Sequence, residues 1–191
     1  MAQSKLLIDT IKNTNFRLAQ SIHPLLKTPF GPTPYILVIA EDLEREFNKS
    51  TRLQGKFGWF QQEEYKKNRA GTIQLSNKQK TQFKTDRDNM IDIANDFGFT
   101  SLSLEDINAM VYAMLFGIPL VTDDDDLRNL AGQMGVTLYK TLELLKLMLD
   151  AKHIDMDKVR AIASYWIVMA DCPKDFKSDY EKIFGEKPPK P

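Results

Sequence analysis

Four acidic residues in well-separated stretches raise the first chemical question: Asp9, Glu41, Asp106 and Asp124. Asp9 follows a short apolar run, Lys5 to Ile8 (KLLI). Asp124 falls within four consecutive acids, Asp123 to Asp126, which follow a second apolar run, Ile118 to Thr122 (IPLVT). Glu41 and Asp106 lie near the starts of stretches with helical spacing. Carboxylates brought to one place resist joint ionisation, and a divalent cation removes the conflict. Mg²⁺ and Mn²⁺ take hard oxygen ligands and bind through a few carboxylates plus water and substrate phosphate. Such a site polarises a phosphodiester, activates a water and stabilises the leaving oxygen.

Each acid also has a plainer use. Asp9 at a strand end can cap the helix that follows. Ser103-Leu104-Glu105-Asp106 is a capping box of the [ST]-x-x-[DE] kind, in which Asp106 serves the helix start. Glu41 shares its neighbourhood with Asp42, Glu44 and Glu46, as on a solvated helix face. The acids from Asp123 to Asp126 are harder to explain this way. One Asp is enough to cap the helix from Leu127, and an all-acid turn repels itself unless something cationic is near.

The elements that must position these residues alternate between strand and helix. Lys5 to Ile8 reads as a buried parallel strand, followed by a helix through about Ser21 with Leu18 and Ile22 apolar. Thr33-Pro34 is expected to open a second helix, with Thr33 as N-cap and a stripe of Ile36, Ile39, Ala40, Leu43 and Phe47. Residues 48–71 show no period. Lys78 to Phe97 reads as helix, Phe99 to Leu104 as short strand or loop, and Leu104 to Phe116 as a strongly apolar helix closed by Gly117. Ile118 to Thr122 is a second strand, Leu127 to Met134 a short helix stopped at Gly135, and Val136 to Leu138 a third strand. Thr141 to Leu149 and Asp155 to Ala170 read as helices. Cys172-Pro173 ends the last of these, and the tail KPPKP is expected to be disordered. Alternating strands and helices predict a parallel sheet with helices on both faces, and ligands of such sheets sit at the carboxyl ends of the strands. The tract after about Asp150 reads as a helical appendage.

The chain has 191 residues, 42% of them hydrophobic, which fits one domain with a full core. Its formal net charge is zero, so it is neither an acidic disordered chain nor a strongly basic one. One cysteine and two histidines argue against a Cys/His zinc site. The opening apolar run is short and interrupted by Asp9, unlike a secretory signal, and no run is long enough to span a bilayer. These features point to the cytoplasm.

The chain resembles the PIN domain family of metal-dependent ribonucleases. The stretch SLEDINAMVYAMLFGIPLVTDDDDLRNLAGQMGV, Ser103 to Val136, is similar to the family's central pattern. In it Asp106 matches the third family acid, Thr122 the hydroxyl residue before the fourth, Asp124 that fourth acid, and Asp126 an additional acid. The opening LLIDT supplies the first acid, Asp9, and Thr10. VIAEDLERE places Glu41 at the second. The resemblance covers roughly Lys5 to Leu149 and departs from the family at Ile11, where Asn or Ser is common.

The resemblance implies a PIN-like three-layer α/β/α fold with a central parallel sheet over residues 1–150; a C-terminal helical extension and flexible tail over 151–191 lies outside the minimal domain. It implies a metal-dependent endoribonuclease acting on single-stranded RNA and leaving a 5′-phosphate. Asp9, Glu41, Asp106 and Asp124 would be its catalytic metal ligands, Asp126 a further ligand, and Thr10 and Thr122 supports. The cofactor is Mg²⁺ or Mn²⁺. Many such proteins are toxins of toxin–antitoxin pairs, so an antitoxin is an expected partner, a homodimer is admitted and a membrane is not expected. The alternatives are an RNA-processing nuclease and a non-catalytic PIN-like binding module. A haloacid-dehalogenase-type phosphatase ranks below these, because its D-x-D arrangement would need an acid at Ile11. Between Arg45 and Arg87 eleven bases face four acids. Within that tract Lys66, Lys67 and Arg69 are the expected RNA contacts, since phosphate binding relies on such cations.

Overall fold

The computed structural model describes residues 4–8, 13–22, 28–40, 45, 47–68 and 73–190. Its centre is a parallel sheet of β1 (Ser4–Ile8), β2 (Tyr35–Val38), β3 (Leu120–Val121) and β4 (Leu138–Tyr139). The strand order is β2-β1-β3-β4. Leu7 is in register with Val38 on one side and Leu120 on the other, and Ile8 pairs with Val121. A central parallel strand is buried on both faces, which is why β1 reads as an unbroken apolar run.

Successive residues of β1 point to opposite faces, and each face has its own core. Leu6, Ile8, Leu37 and Val121 pack with helix α1 (Asn13–Ile22) through Leu18 and Ile22. Leu7, Val38 and Leu120 face α4 (Asn77–Asp96), α5 (Leu104–Phe116) and α6 (Asp125–Gln133) through residues such as Met90, Met110 and Leu130. The result is an α/β fold with a helical layer on each side of the sheet. Helices α7 (Thr141–Asp150), α8 (Met156–Val168) and α9 (Phe176–Phe184) complete the first layer. Residues beyond Asp150 share that core: Val159, Ile162, Trp166, Phe176 and Tyr180 are all buried in the cluster that contains Leu6 and Ile8. Among the described residues, no helix is long and apolar enough to cross a membrane.

Several readings need correction. Tyr35–Val38 is a strand, not the first turn of a helix capped by Thr33. A short apolar run fits either period, and pairing with β1 decides it. Residues 45 and 47–49 are helical, so the helix signal at Phe47 belongs downstream of the strand. The segment without a period holds two short helices, α2 (Thr51–Lys56) and α3 (Glu63–Asn68), joined through a 3₁₀ turn at Gly58–Gln61. Leu53, Phe57 and Phe60 of this segment form a separate small core with Phe47. Of the strand or loop read for residues 99–104, residues 99–103 form the loop, and Pro173 is followed by one more helix, α9. Beyond it Glu186 is held by Arg160 at 2.8 Å.

The α5–β3–α6 unit follows its sequence signals closely. Residues Asp106 to Ala113 are all buried, as expected of a helix that is apolar around its whole circumference. Gly117 ends it with φ +59, and its N–H bonds back to Ala113. That backbone conformation is open to glycine at little cost.

Candidate functional site

The parallel pairing brings three chain segments to the same end of the sheet: those leaving β1 at Ile8, β2 at Ala40 and β3 at Thr122. Asp9 and Thr10 follow Ile8 in sequence and Glu41 follows Ala40, but all three lie outside the described residues, as does Arg69. The described part of the expected site is therefore Asp106, Thr122, Asp124 and Asp126.

Asp106 is the most enclosed of these, at 5% exposure. It sits in the first turn of α5, where Oδ2 accepts from the backbone N–H of Ser103 at 2.8 Å and from its hydroxyl at 2.7 Å. The Ser103 hydroxyl in turn accepts from the Asp106 N–H at 3.2 Å. This reciprocal capping box satisfies two N–H groups that the helix start leaves open. The helix N-terminus also favours a carboxylate there.

Thr122 is fully buried and continues the sheet, donating its N–H to the Tyr139 carbonyl at 3.0 Å. Its hydroxyl accepts from the Asp124 N–H at 3.2 Å. Asp124 is the N-cap of α6, with Oδ1 accepting from the Leu127 N–H at 3.0 Å. Sequence reasoning passed over Asp123 as a working residue. It reaches across to α7, accepting the Thr141 N–H at 3.1 Å and the Thr141 hydroxyl. Burial pushes its carboxyl above the ordinary range, against the pull of the Thr141 hydrogen bonds and the charges of Arg128 and Lys140.

Asp125 pairs with Lys174, and Asp126 accepts from the Ser101 hydroxyl. The acidic turn thus forms one wall of a 430 Å³ cleft whose other side is Ser101, Cys172, Pro173 and Lys174. Asp106 is not part of its lining. The cation that the all-acid turn called for is present as Lys174. Its amine is held above the ordinary range by the Asp125 hydrogen bond and charge. No feature of the C-terminal sequence signalled that contact.

The oxygen donors of Asp106, Asp124 and Asp126 are of the type a hard divalent cation takes. Among the described residues, however, no group of three or more His, Cys, Asp or Glu side chains is assembled closely enough to hold a metal. The other expected ligands, Asp9 and Glu41, lie outside the described residues.

The expected RNA contacts fare unevenly. Lys66 and Lys67 are exposed on α3, and Lys66 pairs with Glu63 at 3.2 Å. The aromatics of the same tract serve packing. Phe57 and Phe60 are buried, and Trp59 packs against Phe60 and Tyr65. No protein-family model matches the sequence, and no curated protein matches it significantly.

Proposed function

We propose that this protein is a PIN-like, metal-dependent endoribonuclease that cleaves single-stranded RNA. The observation that supports it is the Ile8–Val121 pairing between parallel strands. Asp9 comes directly after one strand and the Thr122–Asp126 turn after the other, at the end of the sheet where α/β proteins bind ligands. Asp106, Asp124 and Asp126, with Asp9 and Glu41, would hold Mg²⁺ or Mn²⁺. The metal would supply Lewis acidity and lower the pKa of a water. Of the chain's own residues, Thr122 fixes the backbone ahead of Asp124, and the capping box fixes the Asp106 carboxylate against α5. A toxin of a toxin–antitoxin pair is the biological setting we favour, in which case expression of the protein alone arrests bacterial growth and Asp124→Asn relieves the arrest.

A second reading is a non-catalytic binding module. The caps made by Asp106 and Asp124 favour it, because each acid already has a structural task. The test is incubation of purified protein with 5′-labelled single-stranded RNA in Mn²⁺. The nuclease reading expects fragments with 5′-phosphate ends, lost in Asp9→Asn and Asp124→Asn variants that still fold. Intact RNA with folded wild type would leave the binding module.

A further inference from the structure

A second cleft, of 860 Å³, opens between α4 and the first turn of α5. Arg45, Lys49, Lys80, Lys84 and Arg87 line it, against one acid, Glu105, among the described residues. Lys80, Lys84 and Arg87 are spaced i, i+4 and i+7, so they stand in one row along α4. At a rise of 1.5 Å per residue the row extends roughly 10 Å. A row of like charges at this spacing weakens the helix that carries it, so the row calls for an external counter-charge. Among the described residues neither Lys80 nor Lys84 has an ion-pair partner, and Arg87 reaches only its exposed neighbour Asp88. The lining is not purely cationic. Leu104, 48% exposed, stands in the cleft beside the charges, and Phe83 contributes to the floor.

We infer that this cleft is the path of a single-stranded nucleic acid, with Lys80, Lys84 and Arg87 on successive phosphates and bases against Leu104. A trough with charges in a row and apolar surface beside them fits an extended chain that carries both phosphates and bases. On the α5 side the cleft is lined by Leu104 and Glu105, the residues just before Asp106 in the first turn. The choice of RNA as that strand rests on the nuclease reading; the cleft's affinity for a polyanionic strand does not. Lys66 and Lys67 are not among the residues that line it.

The experiment measures anisotropy of a fluorescein-labelled oligouridylate in EDTA, so that binding is read without cleavage, over a range of salt. Each phosphate contact on a single strand contributes roughly −0.7 to the slope of log affinity against log salt. The variant Lys80→Ala/Lys84→Ala/Arg87→Ala is expected to weaken binding and flatten the slope by about 2 on that basis. Lys66→Ala/Lys67→Ala is expected to leave both unchanged. An unchanged slope in the folded triple variant overturns the assignment, as does a flattened slope in the Lys66/Lys67 variant alone. Displacement of the oligonucleotide by poly-glutamate at equal charge concentration would also overturn it, in favour of an acidic protein partner. Binding that depends on the α4 row without any Mn²⁺-dependent cleavage would sink the nuclease reading and leave the cleft standing. Cleavage with unaltered binding in the triple variant would do the reverse.

Discussion

The guanidinium of Arg17, on α1, donates to the Asp171 carboxylate at 3.1 Å across 154 residues of chain. Both residues are buried. Lys56 of α2 adds a second cation at 2.8 Å, and Arg17 also lies over the Phe57 ring at 4.7 Å and donates to the Tyr165 hydroxyl. One carboxylate therefore ties the first helix, the small aromatic core and the turn after α8. Burial by itself would push the Asp171 carboxyl up, but the hydrogen bonds and charges of Lys56 and Arg17 outweigh it and hold it below the ordinary range. Removing one partner of a buried pair strands the other charge, at a cost of about 3–5 kcal/mol. Asp171→Asn should therefore lower stability by about that much at neutral pH, measured by urea unfolding. Because the folded-state pKa is lowered, the contribution is complete above the ordinary carboxylate range and lost as pH falls through the lowered value. The difference between wild type and variant should thus shrink in acid. Equal stability at neutral pH would mean that the pair contributes nothing.

Asp124 allows its cap to be separated from its proposed metal role. Asn is as good an N-cap as Asp, whereas Ala loses roughly 1 kcal/mol of cap energy. Asp124→Asn should melt like the wild type and Asp124→Ala several degrees lower, while both lose Mn²⁺-dependent RNA cleavage. Cleavage by Asp124→Asn at the wild-type rate would reduce Asp124 to a cap.

Asp123 should give the opposite pH signature to Asp171. Its carboxyl is raised by burial, so the folded protein keeps a proton that the unfolded chain has released. Stability then falls as pH climbs from the ordinary carboxylate range through the raised value. Asp123→Asn should flatten that decline in a series of melts across the acid range. A variant profile parallel to that of the wild type would show that Asp123 does not titrate in this window.

Lys174 competes with any added cation for the acidic turn. Lys174→Ala removes the amine from Asp125, so less Mn²⁺ should be needed to raise the melting temperature by mass action. The metal-free melt should hardly move, because the pair is exposed on both sides. Superimposable Mn²⁺ titrations of variant and wild type would show that metal does not bind at this turn.

The parts legible in the sequence were those where local chemistry and tertiary packing agree. Ser103 and Asp106 form the box their spacing announces, Gly117 ends α5, and Asp124 starts α6. The strand Tyr35–Val38 was misread because four apolar residues carry no period of their own, and the partner that decides the matter, β1, is some thirty residues away in sequence. Helices α2 and α3 were missed because they bury a few aromatics in a local cluster and leave no stripe. The basic tract was visible as an excess of charge. The alignment of Lys80, Lys84 and Arg87 shows once residues three and four apart on α4 are taken as neighbours. The structural uses of Asp123 and Lys174 depend on contacts with distant segments, which no local pattern encodes.

The strand order also has a consequence during synthesis. β1 is made before β2 and can pair early with it, but its other edge waits for β3, because Leu7 pairs with Leu120. At about 5–20 residues per second that wait is on the order of ten seconds. The layer beneath β1 closes later still, when Trp166 and Tyr180 arrive. A growing chain therefore holds an open sheet edge until β3 is made, and a half-covered apolar face until Trp166 and Tyr180 follow. The segments that leave β1 and β3 stay apart until β3 is made, so on the nuclease reading a nascent chain would be silent towards RNA until then.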